Sequence, residues 1–384
     1  MTAIVTDAHY RMAVALLRDL RDAGVTVIAC EMDTNPAPAG FAVRGLARYV
    51  TLPKSGYDDA LFALCEAVSR KSGEKPALLP VGAATLAMLA SQHARFDAVC
   101  GLCIPNAEQL ALFNDKNALA ALGARLGLAV PACFVPNPGE TDALFAARVA
   151  LPCVVKPTCG EKFGLHAESR YRIVHTAAEL ESALAHFRQI TGETPIVQEY
   201  LPGGGFGCSV LASGGEVVYA ICHERVREYP VSGGPSSCCK CIDAPRLVAA
   251  AKALVRETGY SGLAMFEFKA DTIGEPRLLE CNPRVWGTYP LTRAAKTTFA
   301  LCWCCLALGR PLPPRPAPRL VKMAFYPSDF AAGLGYLRRG QPKKLFDVIG
   351  DYLNPNVKNG LHEKDDPDPG RVYRKSLLER KRSK

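Results

Sequence analysis

Two short strand-like runs separated by a turn limit this chain more than any other feature. The segment GLAMFEFKAD, residues 262–271, alternates in a way that puts Ala264, Phe266 and Phe268 on one face and Met265, Glu267 and Lys269 on the other. The turn DTIGEP follows, then LLECNPR, residues 278–284. Turn chemistry of this kind predicts an antiparallel hairpin. Glu280 and Asn282, two residues apart, then share a face, and Glu267 can meet them from the neighbouring strand. Two carboxylates and an amide oxygen are hard donors suited to Mg²⁺ (or Mn²⁺) that also takes phosphate oxygens. Two adjacent acids need a cation, since their repulsion otherwise favours protonating one. Arg284 stands two residues on, placed to stabilise a phosphoryl group. The competing reading is a pair of solvated glutamates on an exposed strand.

The first hundred residues alternate differently. Short apolar runs at 3–6, 25–29 and 77–80 are interleaved with helical spacing at 11–23, 57–70 and 83–94. A βαβα rhythm implies a parallel sheet covered on both faces. No GxGxxG follows the first strand, so dinucleotide binding is not supported there. From residue 106 the pattern changes. A helix is expected over 107–126, containing Lys116. LPCVVK, 151–156, reads as a strand ending in Lys156, held on a rigid element as a phosphate-binding point charge should be. TCGEKFG, 158–164, offers Gly160 and Gly164 for close backbone approach to phosphates, or is a plain turn. PIVQEYLPGGG, 195–205, is a strand running into a flexible stretch, with Glu199, Tyr200 and Leu201 at a hinge. In ERVREYPVSGGPSS, 224–237, Arg225 and Arg227 alternate and are expected on one face, able to hold a carboxylate bidentately. Gly233, Gly234, Ser236 and Ser237 are expected to form a mobile loop of N–H and hydroxyl donors. The bland alternative is a salt-bridged strand edge. After Gly309 a proline-rich link, RPLPPRPAPR, leads to a C-terminal part whose elements are hard to read.

Composition narrows the class. The chain has 384 residues, 49% of them hydrophobic and 22% charged, enough for two or three packed domains of an ordinary globular protein. Asp7, His9 and Arg11 interrupt the start, so no signal peptide is expected, and no apolar run is long enough to span a bilayer; a cytoplasmic location follows as an expectation. Formal charge is +9, of which residues 371–384 supply +6, with seven Lys/Arg against one Glu. Such a tail suits nucleic acid, a membrane or an acidic partner, or is a solvated terminus, the preferred reading; a nucleic-acid role is not expected. The 16 cysteines lack zinc-site spacing and read as reduced, buried small hydrophobes.

Taken together and in this order, VVKP, QEYLPGG, the Glu-bearing strand and LLECNPR resemble the ATP-grasp superfamily over roughly residues 1–310. The resemblance implies an α/β and α+β architecture, an ATP-grasp fold with an N-terminal Rossmann-like pre-ATP-grasp domain. Its parts would be that domain at 1–105, a linker helix and small lid subdomain at 106–200, and a large metal-bearing subdomain at 201–312. Residues 313–384 would be a C-terminal extension with the basic tail. By position, Lys116 and Lys156 look like the nucleotide lysines, and Glu199–Leu201 like the adenine hinge. Glu267, Glu280 and Asn282 look like the Mg²⁺ ligands, and Arg284 like the arginine of the family's N-P-R. The implied activity is ATP-dependent coupling of a carboxylate, activated as an acyl phosphate, to an amine. No covalent protein nucleophile is required. REYPVSGGPSS with NPRVWGT is similar to a branch that includes D-aspartate ligases, and also to the synthetase half of carbamoyl phosphate synthase and to biotin carboxylase. The alternatives are bicarbonate activation and an ATP-binding regulator without turnover. The resemblance also implies a homodimer through the N-terminal domain. Departures are a phosphate loop poorer in glycine and serine than in many members, and Cys281 where a small or β-branched residue is common.

Overall fold

The computed structural model describes residues 1–382 apart from 36, 158–162, 164, 166–168 and 232. Among the described residues, fifteen strands fall into three sheets in chain order. The first contains β1 (Thr2–Val5), β2 (Thr26–Met32), β3 (Arg48–Leu52) and β4 (Ala77–Leu79), in the order β3-β2-β1-β4 and parallel throughout. β1, β2 and β4 are largely apolar because helices cover both faces, whereas the edge strand β3, RYVTL, is mostly exposed. The helix Arg11–Asp22 buries Val14, Leu16, Leu17 and Leu20 on one side, and Tyr57–Ser72 buries Leu61, Leu64 and Cys65 on the other. The βαβα reading holds, with β3 as the strand it missed.

The second sheet contains β5 (Cys133–Phe134), β6 (Cys153–Lys156), β7 (Arg172–Val174) and β8 (Ile196–Glu199), ordered β5-β8-β6-β7 and antiparallel. The helices Asp142–Arg148 and Ala177–Thr191 close its own small core around Phe145, Leu184 and Phe187.

The third sheet has seven strands: β9 (Gly205–Ser213), β10 (Glu216–Glu228), β11 (Ser236–Ile242), β12 (Gly262–Ala270), β13 (Pro276–Asn282), β14 (Lys322–Ala324) and β15 (Val357–Asn359). Their order is β13-β12-β9-β10-β11-β14-β15. Gly214 (φ 57°) and Gly215 (φ 85°) make the two-residue turn between β9 and β10, a conformation that glycine adopts without steric cost. One face, carrying Cys208, Val210, Ala264 and Phe266, packs on the helices Ala107–Asn114, Lys116–Arg125 and Pro245–Thr258. The opposite face, carrying Leu211, Ile221, Leu263 and Met265, packs with Val285, Trp286 and the helix Phe299–Ala307 into the core of the N-terminal domain.

Three expectations change. The helix expected over 107–126 is two helices, broken where the Asp115 side chain accepts from the Asn117 and Ala118 amides. That N-cap makes Lys116 the first residue of the second helix. Both helices pack on the large sheet through Phe113, Leu119 and Leu122. The segment from 313 is not an appendage, because β14 pairs with β11 and β15 with β14. Ser236 and Ser237 begin β11 and are buried rather than lying in a loop.

Between the small and large sheets the chain passes through 200–204. Gly203 N donates to Ala270 O (3.0 Å), and Ala270 N donates to Gly204 O (2.9 Å). The connection is thereby fastened to the end of β12. Among the described residues no helix is long and apolar enough to cross a membrane.

Candidate active site

The hairpin register brings Glu267 directly opposite Glu280, and Met265 opposite Asn282. Asn282 Nδ2 lies 2.9 Å from Glu267 Oε1. The three oxygen-bearing residues therefore converge as the alternation requires. Lys116 comes to the same place from the first turn of its helix, with Nζ 3.3 Å from Glu280 Oε2. Lys156, at the end of β6, is buried and donates to Gln198 Oε1 at 2.7 Å. The Glu280 side chain keeps 31% of its surface accessible and that of Lys116 18%, so these charges line an open crevice between the small and large sheets.

The electrostatics follow from this crowding. Burial pushes the Glu267 carboxyl up to about 7; Arg225 opposes the rise, while Glu280 and Glu228 add to it. Glu280 feels the same burial, but Lys116, Lys156 and Arg225 more than offset it and hold that carboxylate below its usual range. Burial brings the Lys156 ammonium down to about 8, with Glu280 opposing and Lys116 assisting. An acid that resists ionising beside a lysine that resists protonation is the pattern of a site whose charges await a ligand. Two carboxylates and an amide on facing positions suit a hard divalent cation, so the residues fit Mg²⁺.

Arg225 reaches Glu267 across an intervening strand. It lies on β10, Glu267 lies on β12, and β9 runs between them. The passage is open because β9 presents Gly205 and Gly207 there. A Cβ on Gly205 would stand 3.0 Å from Arg225 Cδ, and one on Gly207 would overlap the His223 ring. Changing Gly207 to Ala is expected to cost about 1–3 kcal/mol through overpacking and to move His223 and Arg225 with it. A thermal melt of Gly207→Ala that superimposes on wild type would refute this crossing.

Arg227 does not share the role expected for it. Between Arg225 and Arg227 the ladder slips: Arg225 pairs with Cys239 but Arg227 with the adjacent Cys238. This bulge gives β10 one extra residue, so the two arginines, though alternate in sequence, do not share a face. Arg227, 1% accessible, gives Nε and Nη2 to Asp329 (2.9 and 2.7 Å) and Nη2 to Asp351 (2.6 Å). Ser237 Oγ donates to the same Asp329 (2.8 Å), and Ser236 Oγ to Cys238 O (3.0 Å). Arg227, Ser236 and Ser237 are thus structural, not substrate-facing. Gly233 (φ 126°) packs where any Cβ would overlap Tyr171 of the small subdomain, and Gly234 sits against the backbone of Tyr229 and Pro230.

The remaining positions divide. Glu199 Oε2 accepts from Ala132 N (3.0 Å) and lies 3.6 Å from Arg277 of β13; Leu201 is buried, and Tyr200 is partly exposed between them. Arg284 N donates to Asn282 O (2.8 Å), and its Nη1 to Val285 O (3.1 Å), in a tight turn that keeps the arginine near Glu267. Gly160 and Gly164 lie outside the described residues. Sequence reasoning overlooked Gln198, which anchors Lys156, and Glu228, whose Oε1 lies 3.4 Å from Arg225. The signal for Gln198 was a polar residue in the apolar run IVQ. Among the described cysteines all but Cys133 are buried, and all are free. Burial pushes the thiols of Cys30, Cys103 and Cys238 up to about 12, far from nucleophilic use.

This fold and site have counterparts. Residues 191–324 match a family model described as ATP-grasp in the biosynthetic pathway with Ter operon. The arginine-specific large chain of chloroplastic carbamoyl phosphate synthase from Oryza sativa subsp. japonica is 29% identical over 194 residues. The match takes in 47% of this chain and 16% of that much longer relative. Biotin carboxylase from Campylobacter jejuni, solved as a β-γ-ATP complex, superposes with a TM-score of 0.64 at 15% identity, over 83% of this chain and 73% of the other. The biotin carboxylase domain of Hydrogenobacter thermophilus 2-oxoglutarate carboxylase, solved with MgADP and bicarbonate, gives 0.63 at 15% identity, over 83% and 72%. An L-amino acid ligase from Bacillus licheniformis gives 0.56 at 18% identity, over 80% and 74%. The chain has the ATP-grasp fold, and residues 191–324 match the ATP-grasp family model. The fold is shared with solved carboxylases and with an amino acid ligase.

Proposed function

We propose that the protein is an ATP- and Mg²⁺-dependent ligase that activates a carboxylate, an amino acid or small dicarboxylate, as an acyl phosphate and couples it to an amine. The observation that carries this reading is the convergence of Glu267, Glu280 and Asn282 with Lys116 and Lys156 at the crevice between the small and large sheets. Glu267, Glu280 and Asn282 would hold Mg²⁺, which when bound neutralises phosphate charge. Lys116 and Lys156 hold phosphate oxygens, and residues 199–201 border the base at the hinge. The substrate carboxylate oxygen attacks the γ-phosphorus, the bond to the β-phosphate oxygen breaks, and ADP leaves. The amine then attacks the acyl carbon, releasing phosphate and a proton. Arg284, beside Glu267, offsets charge on the transferred group. Arg225 and the backbone of Gly233 and Gly234 border the side where the acid would lie, with Tyr171 opposite.

The test is ADP release from Mg·ATP across paired amino acids, dicarboxylates, bicarbonate and amines. Turnover requiring one acid and one amine supports the ligase. Binding of ATP with no turnover for any pair would favour a regulator, and absence of ATP binding would remove the reading altogether. The same assay has an expected pH shape. Metal binding needs ionised Glu267, so kcat/KM for Mg·ATP should rise through about 7. Phosphate contact needs protonated Lys156, so it should fall above about 8. Lys156→Arg should move the alkaline limb upward, since guanidinium stays charged; an unmoved limb would assign it to another group.

A further inference from the structure

We propose that the outer face of the C-terminal helical hairpin docks on an anionic lipid surface. The hairpin consists of the helices Ser328–Arg338 and Pro342–Leu353. Their facing sides are closed: Leu345 and Val348 lie against Gly333, where an added Cβ would meet them at 3.0 and 3.2 Å. The outer side is apolar and uncovered, with Leu334 51%, Leu337 43%, Phe346 69%, Ile349 43% and Leu353 73% accessible; Tyr352 instead packs on Tyr326 and Phe330. Phe346, Ile349 and Leu353 follow i, i+3, i+7 spacing and form one stripe. Exposed large side chains gathered in this way mark an interaction surface.

Charge selects the occupant. Arg338, Arg339, Lys343 and Lys344 fall within seven residues at the turn end of the hairpin. Among the described residues Arg338, Lys343 and Lys344 form no ion pair, while Arg339 donates to Val231 O (3.3 Å). The acids of the hairpin are mostly spent inward, Asp329 and Asp351 on Arg227 and Asp351 also on Lys322; Asp347 alone stays exposed on the second helix. A second copy brought face to face would set like charges against each other. The helices touch at Gly333, so they leave no cleft for a peptide to enter and present a face instead. An anionic bilayer surface supplies both what the stripe lacks, an apolar medium at the acyl boundary, and what the cations lack, counter-charge.

The experiment is co-sedimentation of the purified full chain with phosphatidylcholine vesicles, with and without phosphatidylglycerol, at low and high salt. Binding is expected only with phosphatidylglycerol, weaker at high salt. It should fall at least about tenfold in Phe346→Ser/Leu353→Ser and in Lys343→Glu/Lys344→Glu, with thermal melts like wild type. Equal pelleting of both variants would shift the binding to the basic tail and overturn the proposal. So would failure to bind at low salt, equal binding to neutral vesicles, or a concentration-dependent dimer that Phe346→Ser/Leu353→Ser abolishes.

Discussion

Glu280→Ala is expected to lower kcat/KM for Mg·ATP about 10³-fold, on the order of 4 kcal/mol of transition-state stabilisation. The size comes from the number of interactions that meet at this carboxylate. It faces Glu267 in the ladder, lies 3.3 Å from Lys116, and is the acid that holds Lys156 up against its burial. Its removal takes away a proposed cation ligand and lets Lys156 shed its proton more readily, so the alkaline limb of the pH profile should also move to lower pH. Glu275→Ala, on the exposed turn of the same hairpin, is the matched control and should leave both parameters unchanged. Steady-state ADP release measures both. If Glu280→Ala retained more than a tenth of wild-type turnover, the metal and nucleotide assignment could not stand.

Arg227→Met should destabilise the fold by about 3–5 kcal/mol, the cost of leaving buried acids without their partner. Asp329 is fully inaccessible and Asp351 partly buried, and only Ser237 and Lys322 would remain to them. Differential scanning calorimetry should record a fall in Tm of roughly 4–6 °C. Arg227→Lys separates this role from substrate binding. A lysine cannot reproduce two-pronged contact with Asp329 while also reaching Asp351, so most of the loss should persist. A normal Tm with a raised KM for the acid would instead return Arg227 to the substrate.

The two arginines show where sequence periodicity stops being informative. Alternation placed Glu267, Glu280 and Asn282 correctly because β12 and β13 pair in register through those positions. The same rule put Arg225 and Arg227 together and failed, because one extra residue in β10 exchanges faces. A bulge is a property of two strands, and the start of its partner β11, Ser236 and Ser237, reads from the sequence as part of a loop. Likewise β14 and β15 are only three residues each, too short for period-2 alternation to register, and they exist because β11 offers an edge. Lys116 was legible as a charge in a helix, but its aim depended on Asp115 ending one helix and starting another. Lys156 was legible as the end of a strand; its partner Gln198 comes from a strand forty-two residues on and could be known only from the pairing of β6 with β8.

The paired hydrogen bonds between Gly203–Gly204 and Ala270 have a mechanical consequence. They fix the fulcrum of the small subdomain to the strand that carries Glu267, three residues away. Any swing of that subdomain therefore turns about a point at rest relative to the two glutamates. Such a swing would carry Lys156 through an arc while the carboxylates stay put. In the proposed reaction the crevice would then act as a vice with one fixed jaw, its hold on phosphate governed by that one angle.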